Sequence, residues 1–354
     1  MPVTLRELAK AAGVSVSTVS RALTKSRHPV KKEVRRNIAR LAEELGYRPN
    51  AVARSLRTNR TFTVGVIADD ISSPFTPIII HGIQDQLRRE GYFSIIISTD
   101  WKPQAEVQAI DDLISRAVDG VIFVESWYRT SNEALDLAKK PYVFVHRLFQ
   151  ASYRYSVIPD EQYGASLAVG HLLGLGHRNI GFISGPRDFY SSTDRLVGYQ
   201  NELNQVGVPF RPEYVEVGTW EIGSGYEATQ RLLKASPNPT AIFATNDMMA
   251  LGAIHAIQDV GLHVPDDVAV VGYDDRTIAA MARPTITTVS LPCYEMGVVS
   301  ARLLLRLLNG LAIDTEEIKV KGKLIVRQSC GAKEGRQTLP EMYFSLSPRR
   351  ASPR

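Results

Sequence analysis

Between Gly13 and Leu23 the chain reads GVSVSTVSRAL, eleven residues with four small hydroxyl side chains, three valines and one arginine. Serine and threonine hydroxyls compete for the backbone and valine is stiff at χ1, so these are mediocre helix formers. Their value lies in what they can touch. At about 100° per residue, Val19, Ala22 and Leu23 share one side of a helix, while Val16, Ser17, Ser20 and Arg21 share the other. Small hydroxyls let a helix sit deep in a DNA groove and bond to phosphates or base edges. Valine offers methyls to thymine, and one arginine can fork onto guanine O6 and N7, which supplies about 1–3 kcal/mol of discrimination. The plain alternative is a weak surface helix without a partner. The basic surround of Arg6, Lys10, Lys25, Arg27, Lys31, Lys32 and Arg35 argues against it.

A second set of capable residues stands where short apolar runs end. Asn246 and Asp247 close AIFAT, Asp274 and Asp275 close VAVVGY, and Arg195 follows IGFISG and its loop. An amide, a carboxylate and a guanidinium converging on a cleft bond in forked fashion to neighbouring hydroxyls. Asp275 also reads as a turn or cap residue, Asp247 as the cap of the helix starting MMALG, and Arg195 as a brace for its loop. Trp127 suits a cleft mouth and surface packing equally. The chain has no GxSxG, P-loop or GxGxxG, and its seven histidines lack zinc-like spacing. Cys293 and Cys330 form neither a disulfide framework nor a metal motif. The expectation is therefore no catalytic residue, no metal and no cofactor.

Three helical patterns must position the first set. Thr4-Leu5-Arg6-Glu7 has capping-box spacing and starts a helix to about Ala12. Gly13 breaks it, Ser15 caps a second helix ending near Leu23, and Val34, Ile38, Leu41 and Leu45 trace a third that Gly46 ends. A helix–glycine turn–helix in about twenty residues is the helix-turn-helix arrangement, whose second helix enters the major groove. A fourth segment, NAVARSLR, has an apolar strip of Ala51, Val52, Ala53 and Leu56, flanked by Arg54 and Arg57. It is too short to hold alone, so a symmetry mate and DNA would order it. Leu56 then becomes a wedge between base steps in the minor groove, with packing on its own domain as the alternative.

From Thr61 the texture changes to β-branched runs alternating with helical stretches. TVGVIA, SIIIST, GVIFVE and YVFVHR form one series, and IGFISG, YVEVG, AIFATN and VAVVGYDD a second. Such runs mean parallel, doubly covered sheets, and two series mean two α/β subdomains with a ligand cleft at the strand ends. The expected architecture is an all-α helix-turn-helix headpiece (1–48), a hinge helix and linker (49–60), and a core (61–330) of two doubly wound subdomains. The residues 331–354 lack periodicity and are expected to be disordered.

Charge divides along the same lines. Residues 1–60 carry 14 Lys and Arg against 4 Asp and Glu, while 61–330 carry 23 against 31. A basic head on an acidic body is the footprint of a polyanion-binding module joined to something else. The N-terminus is polar by its fourth residue, no apolar run approaches a membrane span, and cysteines are few. A cytoplasmic, nucleoid-associated protein is expected, with no membrane partner.

These strings resemble the lactose-repressor (LacI/GalR) family of bacterial transcription regulators. The matching residues are TLRELAKAAGVSVSTVSRAL, LGYRPNAVARSLRTNRTFTVGVI, LGHRNIGFISG, NDMMALGAIHAI, VPDDVAVVGYDD and TTVSLPCYEMG, in family order from residue 3 to about 330. The resemblance implies a periplasmic-binding-protein-like core that dimerises and binds a small effector, here expected to be a sugar. It assigns base reading to Val16, Ser17 and Arg21 and the operator-centre wedge to Leu56. Thr4, Leu5, Ser15, Thr18, Ser20 and Ala53 complete the expected DNA contacts. It places effector contacts at Phe75, Arg147, Arg195, Trp220, Asn246 and Asp274, with Phe75 and Trp220 as aromatic lids. It implies three chain crossings between subdomains, the first holding about 61–160 and 291–320 and the second about 161–290 and 321–330. Two departures, His146 for a frequent aspartate and Leu291 for a frequent glutamine, leave the effector's identity open.

The leading reading is a homodimeric, ligand-gated repressor on a pseudo-palindromic operator. A sugar-transport component on the same core is opposed by the basic head and the lack of a signal peptide. An α/β enzyme with an appended DNA module is opposed by the missing nucleophile–base pair. The tail has no leucine heptad, so a dimer without a tetramerising coiled coil is expected.

Overall fold

The computed structural model describes residues 3–23, 30–48, 55–56, 58–131, 137–149, 155–313 and 315–332. The chain forms two compact units, 1–63 and 64–354.

In the first unit, α1 (Leu5–Ala11) opens on a complete capping box. The Thr4 side chain accepts from the Glu7 N–H, and the Glu7 carboxylate accepts from the Thr4 N–H at 2.7 Å. Gly13 takes φ 64° and turns the chain into α2 (Val16–Leu23), where the Ser15 hydroxyl accepts from the Thr18 N–H at 3.2 Å. α3 (Lys32–Glu44) ends before Gly46, also left-handed. Leu8, Val19 and Ile38 are fully buried where the three helices meet, with Ala9, Ala22 and Ala42 filling between them. Ser55 and Leu56 are helical, and Leu56 is 84% exposed. Ala53 lies outside the described residues, as do Arg54 and Arg57.

The second unit contains two six-stranded sheets. The first takes β1 (Thr63–Ala68), β2 (Phe93–Ser98), β3 (Gly120–Ser131), β4 (Tyr142–Phe149) and β5 (Ser156–Pro159), then a late strand, β11 (Glu317–Val320). Its order is β11-β5-β4-β3-β1-β2, and β11 pairs parallel to β5. The second sheet takes β6 (Ile180–Ser184), β7 (Val215–Val217), β8 (Ala241–Ala244), β9 (Ala269–Asp274), β10 (Thr287–Ser290) and β12 (Lys323–Ile325), in the order β12-β10-β9-β8-β6-β7. Among the described residues, only β12, antiparallel to β10, breaks its parallel pattern. The chain thus passes between sheets after β5, after β10 and after β11.

Both faces of each sheet are covered, which is why their strands read as continuous apolar runs. On the first, α4 (Thr76–Arg89) and α11 (Cys293–Leu308) cover one face, and α5 (Pro103–Ser115) the other. On the second, α6 (Glu161–Gly174) and α7 (Tyr190–Gln205) oppose α8 (Ile222–Leu232) and α9 (Asp247–Asp259). The short α10 (Thr277–Met281) follows β9. Among the described residues no helix is long and apolar enough to cross a membrane.

Candidate functional sites in the head and the core

The outer face of α2 is small and polar. Val16 is 41% exposed, Ser17 and Arg21 are exposed, and Ser20 is half-buried. The Arg21 guanidinium folds back along the helix, donating to the Ser17 carbonyl at 3.1 Å and its hydroxyl at 3.2 Å. Ser17 in turn lies 2.8 Å from the Ser15 hydroxyl, and Ser15 lies 2.9 Å from that of Thr18. These groups form one polar chain along the face opposite the core. Leu5 is packed against that core, and Thr4 is held in its capping box.

In the core a cavity of about 250 Å³ lies at the strand ends, with lining residues from both sheets. Phe75, Ser126 and His146 belong to the first sheet's half, and Arg195 on α7, Trp220 in its loop, Asn246 at the start of α9 and Asp274 at the end of β9 belong to the second. Five of the six effector residues expected from the sequence therefore share one wall system. Arg147 is the exception. His146 has φ 64°, which interrupts the strand's alternation, so His146 lines the cavity while Arg147 falls on the same side as Phe144 and α5. There it donates to Glu106 at 3.1 Å, pairs with Glu125 and stacks 5.2 Å from the Phe144 ring centroid.

Arg195 is the fixed point of the cavity floor. Its Nε and Nη2 donate to the two carboxylate oxygens of Glu161, each at 2.9 Å, and Nη1 donates to the Thr245 carbonyl. Its Cζ stands 3.7 Å from the Tyr273 ring centroid. Burial is the largest single influence and disfavours its charge, but Glu161, Tyr273 and Asp274 together outweigh it and hold the guanidinium above its ordinary value. Asp274 lies 3.9 Å from Arg195 Nη2 and is nearly as buried. Burial pushes its carboxyl up to about 7, with Glu161 adding to the rise and Arg195 and Arg276 opposing it.

The remaining walls are set by turns. Asn246 caps α9, accepting from the Met249 N–H at 2.8 Å, while its amide donates to the Trp220 carbonyl at 2.9 Å. Trp220 meets Phe189 edge to face at 5.9 Å, and its indole Nε1 is buried with no hydrogen-bond partner among the described residues. A Cβ on Gly185 would lie 2.0 Å from the indole, so that position must be glycine for the ring to seat. His146 Nδ1 donates to the Glu125 carbonyl at 3.1 Å, and burial lowers its pKa. A neutral ring with Nδ1 protonated leaves Nε2 as an acceptor. His146, Trp220 and Asp274 all have positive φ, at 64°, 70° and 102°. Strained non-glycine backbone clusters at ligand clamps and switch regions.

Several lining residues escaped the sequence reading. Glu161, Phe189, Ser191 and Arg276 belong to the cavity. Glu161 carried a usable signal, because it follows the apolar run SVIP as the first residue of α6. Asp247 and Asp275 do not line the cavity; Asn246 takes the capping role expected of Asp247.

Comparison with known proteins agrees with this architecture. Residues 4–50 match the family described as bacterial regulatory proteins, lacI family, and residues 169–330 match a periplasmic binding protein-like domain. The chain is 36% identical over 333 residues to catabolite control protein A of Priestia megaterium, covering 93% of this chain and 99% of that protein. It is 33% identical over 331 residues to the HTH-type transcriptional repressor PurR of Mannheimia succiniciproducens, covering 92% and 98%. Among solved structures, the transcriptional regulator CelR–cellobiose complex matches with a TM-score of 0.65 and 32% identity, covering 92% of this chain and 99% of that one. The lac repressor dimer bound to operator and the anti-inducer ONPF matches with a TM-score of 0.70 and 28% identity, covering 94% and 100%. Because these similarities run through both the helix-turn-helix head and the two-sheet core, the chain belongs to the LacI family of bacterial transcriptional regulators.

Proposed function

We propose that this regulator acts as a homodimeric repressor in the cytoplasm, gripping a pseudo-palindromic operator until a sugar in the core cavity changes its affinity. Val16, Ser17 and Arg21 read bases, with Thr4, Leu5, Ser15, Thr18 and Ser20 against the backbone. Ala53 and Leu56 belong to a hinge helix over 49–60 that wedges the operator centre. Phe75, Arg195, Trp220, Asn246 and Asp274 hold the effector. The core divides into two subdomains at the crossings between the sheets.

One observation carries the effector half: a locked guanidinium, a buried carboxyl and a helix-capping amide stand under aromatic walls in one cavity. Such a floor bonds in pairs to adjacent hydroxyls while an indole covers a sugar's apolar face. The DNA half is supported by the outward polar face of α2 and by Leu56, an apolar side chain left 84% exposed among the described residues. A coupling of about 1–3 kcal/mol between the sites would change operator affinity about 5–150-fold.

The test is a mobility-shift titration of full-length protein on genomic fragments, with and without a panel of mono- and disaccharides. At least one compound is expected to move operator affinity within that range. Leu56→Ala is expected to lose specific binding while keeping salt-sensitive nonspecific binding. Unchanged operator affinity across the panel removes the sugar, and an unchanged footprint of Leu56→Ala removes the wedge.

A further inference from the structure

Asp247 is wholly buried and stands behind the cavity wall rather than in it. Its Oδ2 accepts from the Arg276 backbone N–H at 2.7 Å, and its Oδ1 accepts from the Thr288 hydroxyl at 2.6 Å. Thr288, itself wholly buried on β10, also accepts from the Asp275 N–H at 3.4 Å. The amides of Asp275 and Arg276, the two residues after Asp274, therefore both end on the Asp247–Thr288 pair. This is the turn in which Asp274 and Asp275 take φ 102° and 56°. Side-chain residues hold such values only where their surroundings over-determine them.

The approach of that carboxylate is built into the neighbouring strand. A Cβ on Gly272 would lie 2.4 Å from Asp247 Oδ1, so the position two before Asp274 has no room for a side chain. The arrangement repeats next door, where Asn246 ties its amide to the carbonyl of Trp220, another residue with positive φ. Adjacent residues at the start of α9 thus secure two strained turns on two sides of the cavity.

We propose that Asp247 is a positioning residue of the effector site: it pins the turn of Asp274–Arg276 to α9 and β10, so that the Asp274 carboxyl is presented beside Arg195. The proposal rests on reading the cavity as the effector site and adds the group that sets its geometry from outside. Without the Asp247 acceptor, the turn is free to leave the left-handed region and Asp274 turns toward water. The titratable groups facing Asp274 are Arg195, Glu161, Arg276 and Asp247 itself, whose carboxyl is held well above the ordinary carboxylate range by burial and by Asp274; once the turn is released they lose their fixed distances to it.

The test needs no effector, so its outcome is separate from whether the cavity binds a sugar. In full-length protein with 13C-labelled aspartate, the Asp274 Cγ signal, identified by its loss in Asp274→Asn, should titrate at about 7. In Asp247→Ala that midpoint is expected to fall toward the ordinary carboxylate value of about 4. Deuterium exchange at the Arg276 amide should accelerate at least about tenfold as local opening becomes easier. Asp247→Asn keeps an oxygen for the Arg276 N–H and is expected to retain the wild-type midpoint. If Asp247→Ala does not fold, Thr288→Val carries the same test, with a smaller fall. An unmoved midpoint in a folded Asp247→Ala or Thr288→Val, or failure of Asp247→Asn to retain it, overturns the proposal.

Discussion

Asp274→Asn is expected to stabilise the protein in the absence of effector while removing its response to one. Burial, reinforced by Glu161 and only partly offset by Arg195 and Arg276, moves this carboxyl from 3.8 to about 7. The folded chain therefore holds the proton more tightly than the unfolded chain does. A raised acid pKa makes stability greatest below about 4, where both states carry the proton, and lowers it as pH climbs to about 7. At about 1.36 kcal/mol for each pH unit between the two values, the loss reaches about 4 kcal/mol by pH 8 and only about 1.5 kcal/mol at pH 5. Asparagine has no proton to release, and Arg195 keeps its two bonds to Glu161 at 2.9 Å. Urea denaturation should show the variant ahead of wild type by about 4 kcal/mol at pH 8, narrowing to about 1.5 at pH 5. Equal stability at pH 8, or a gap that does not change with pH, would refute the argument that burial opposes Asp274 ionisation.

Arg147→Met should act on stability and not on effector binding, because it leaves Glu106 and Glu125 facing each other without the guanidinium that joins them. Breaking such a buried pair is worth about 3–5 kcal/mol in denaturant titration, and a loss of effector affinity at unchanged stability would return Arg147 to the cavity. Gly185→Ala places a methyl against the indole of Trp220. Compounds that raise the wild-type melting temperature should then do so by much less, while nonspecific DNA binding by the head persists. An unchanged thermal shift would mean that Trp220 takes no part in the wall.

The legible parts of this chain were those governed by local rules. The capping box at Thr4, the left-handed glycines 13 and 46, and the buried side of α2 follow from spacing within one or two turns. Arg195, Asn246 and Asp274 were legible as strand-end polar groups because parallel strands present their carboxyl ends to a common crevice. What escaped depends on facing or on distant partners. Arg147, expected in the cavity only through the resemblance, stands against Glu106 and Glu125, because the positive φ at His146 breaks the alternation of YVFVHR and no sequence pattern shows that. The pairing of Glu161 with Arg195 joins residues 34 apart in sequence, which no periodicity encodes. Asp247 read as a cap because Asp and Asn are both good caps. The extended backbone at Asn246, φ −152° and ψ 167°, gives that role to the preceding residue. The short strand β11 also went unmarked, because its alternation EIKV is half exposed at a sheet edge.

The cavity's strain and its electrostatics point the same way. Left-handed backbone at His146, Trp220 and Asp274 costs on the order of 1–3 kcal/mol at each residue, and ionising Asp274 costs more. A ligand hydroxyl donated to that carboxylate offsets part of the burial penalty. A second hydroxyl can donate to His146 Nε2, on the other sheet. A ligand bonded to both sheets favours whichever relative placement of the two lets it reach both, and a ligand shifts an equilibrium only by such a difference in affinity. The magnitude concerned matches the few kcal/mol that coupling between two sites requires. On this argument effector response depends on contacts that span the two sheets. A compound held by Arg195 and Asp274 alone should therefore bind without changing operator affinity.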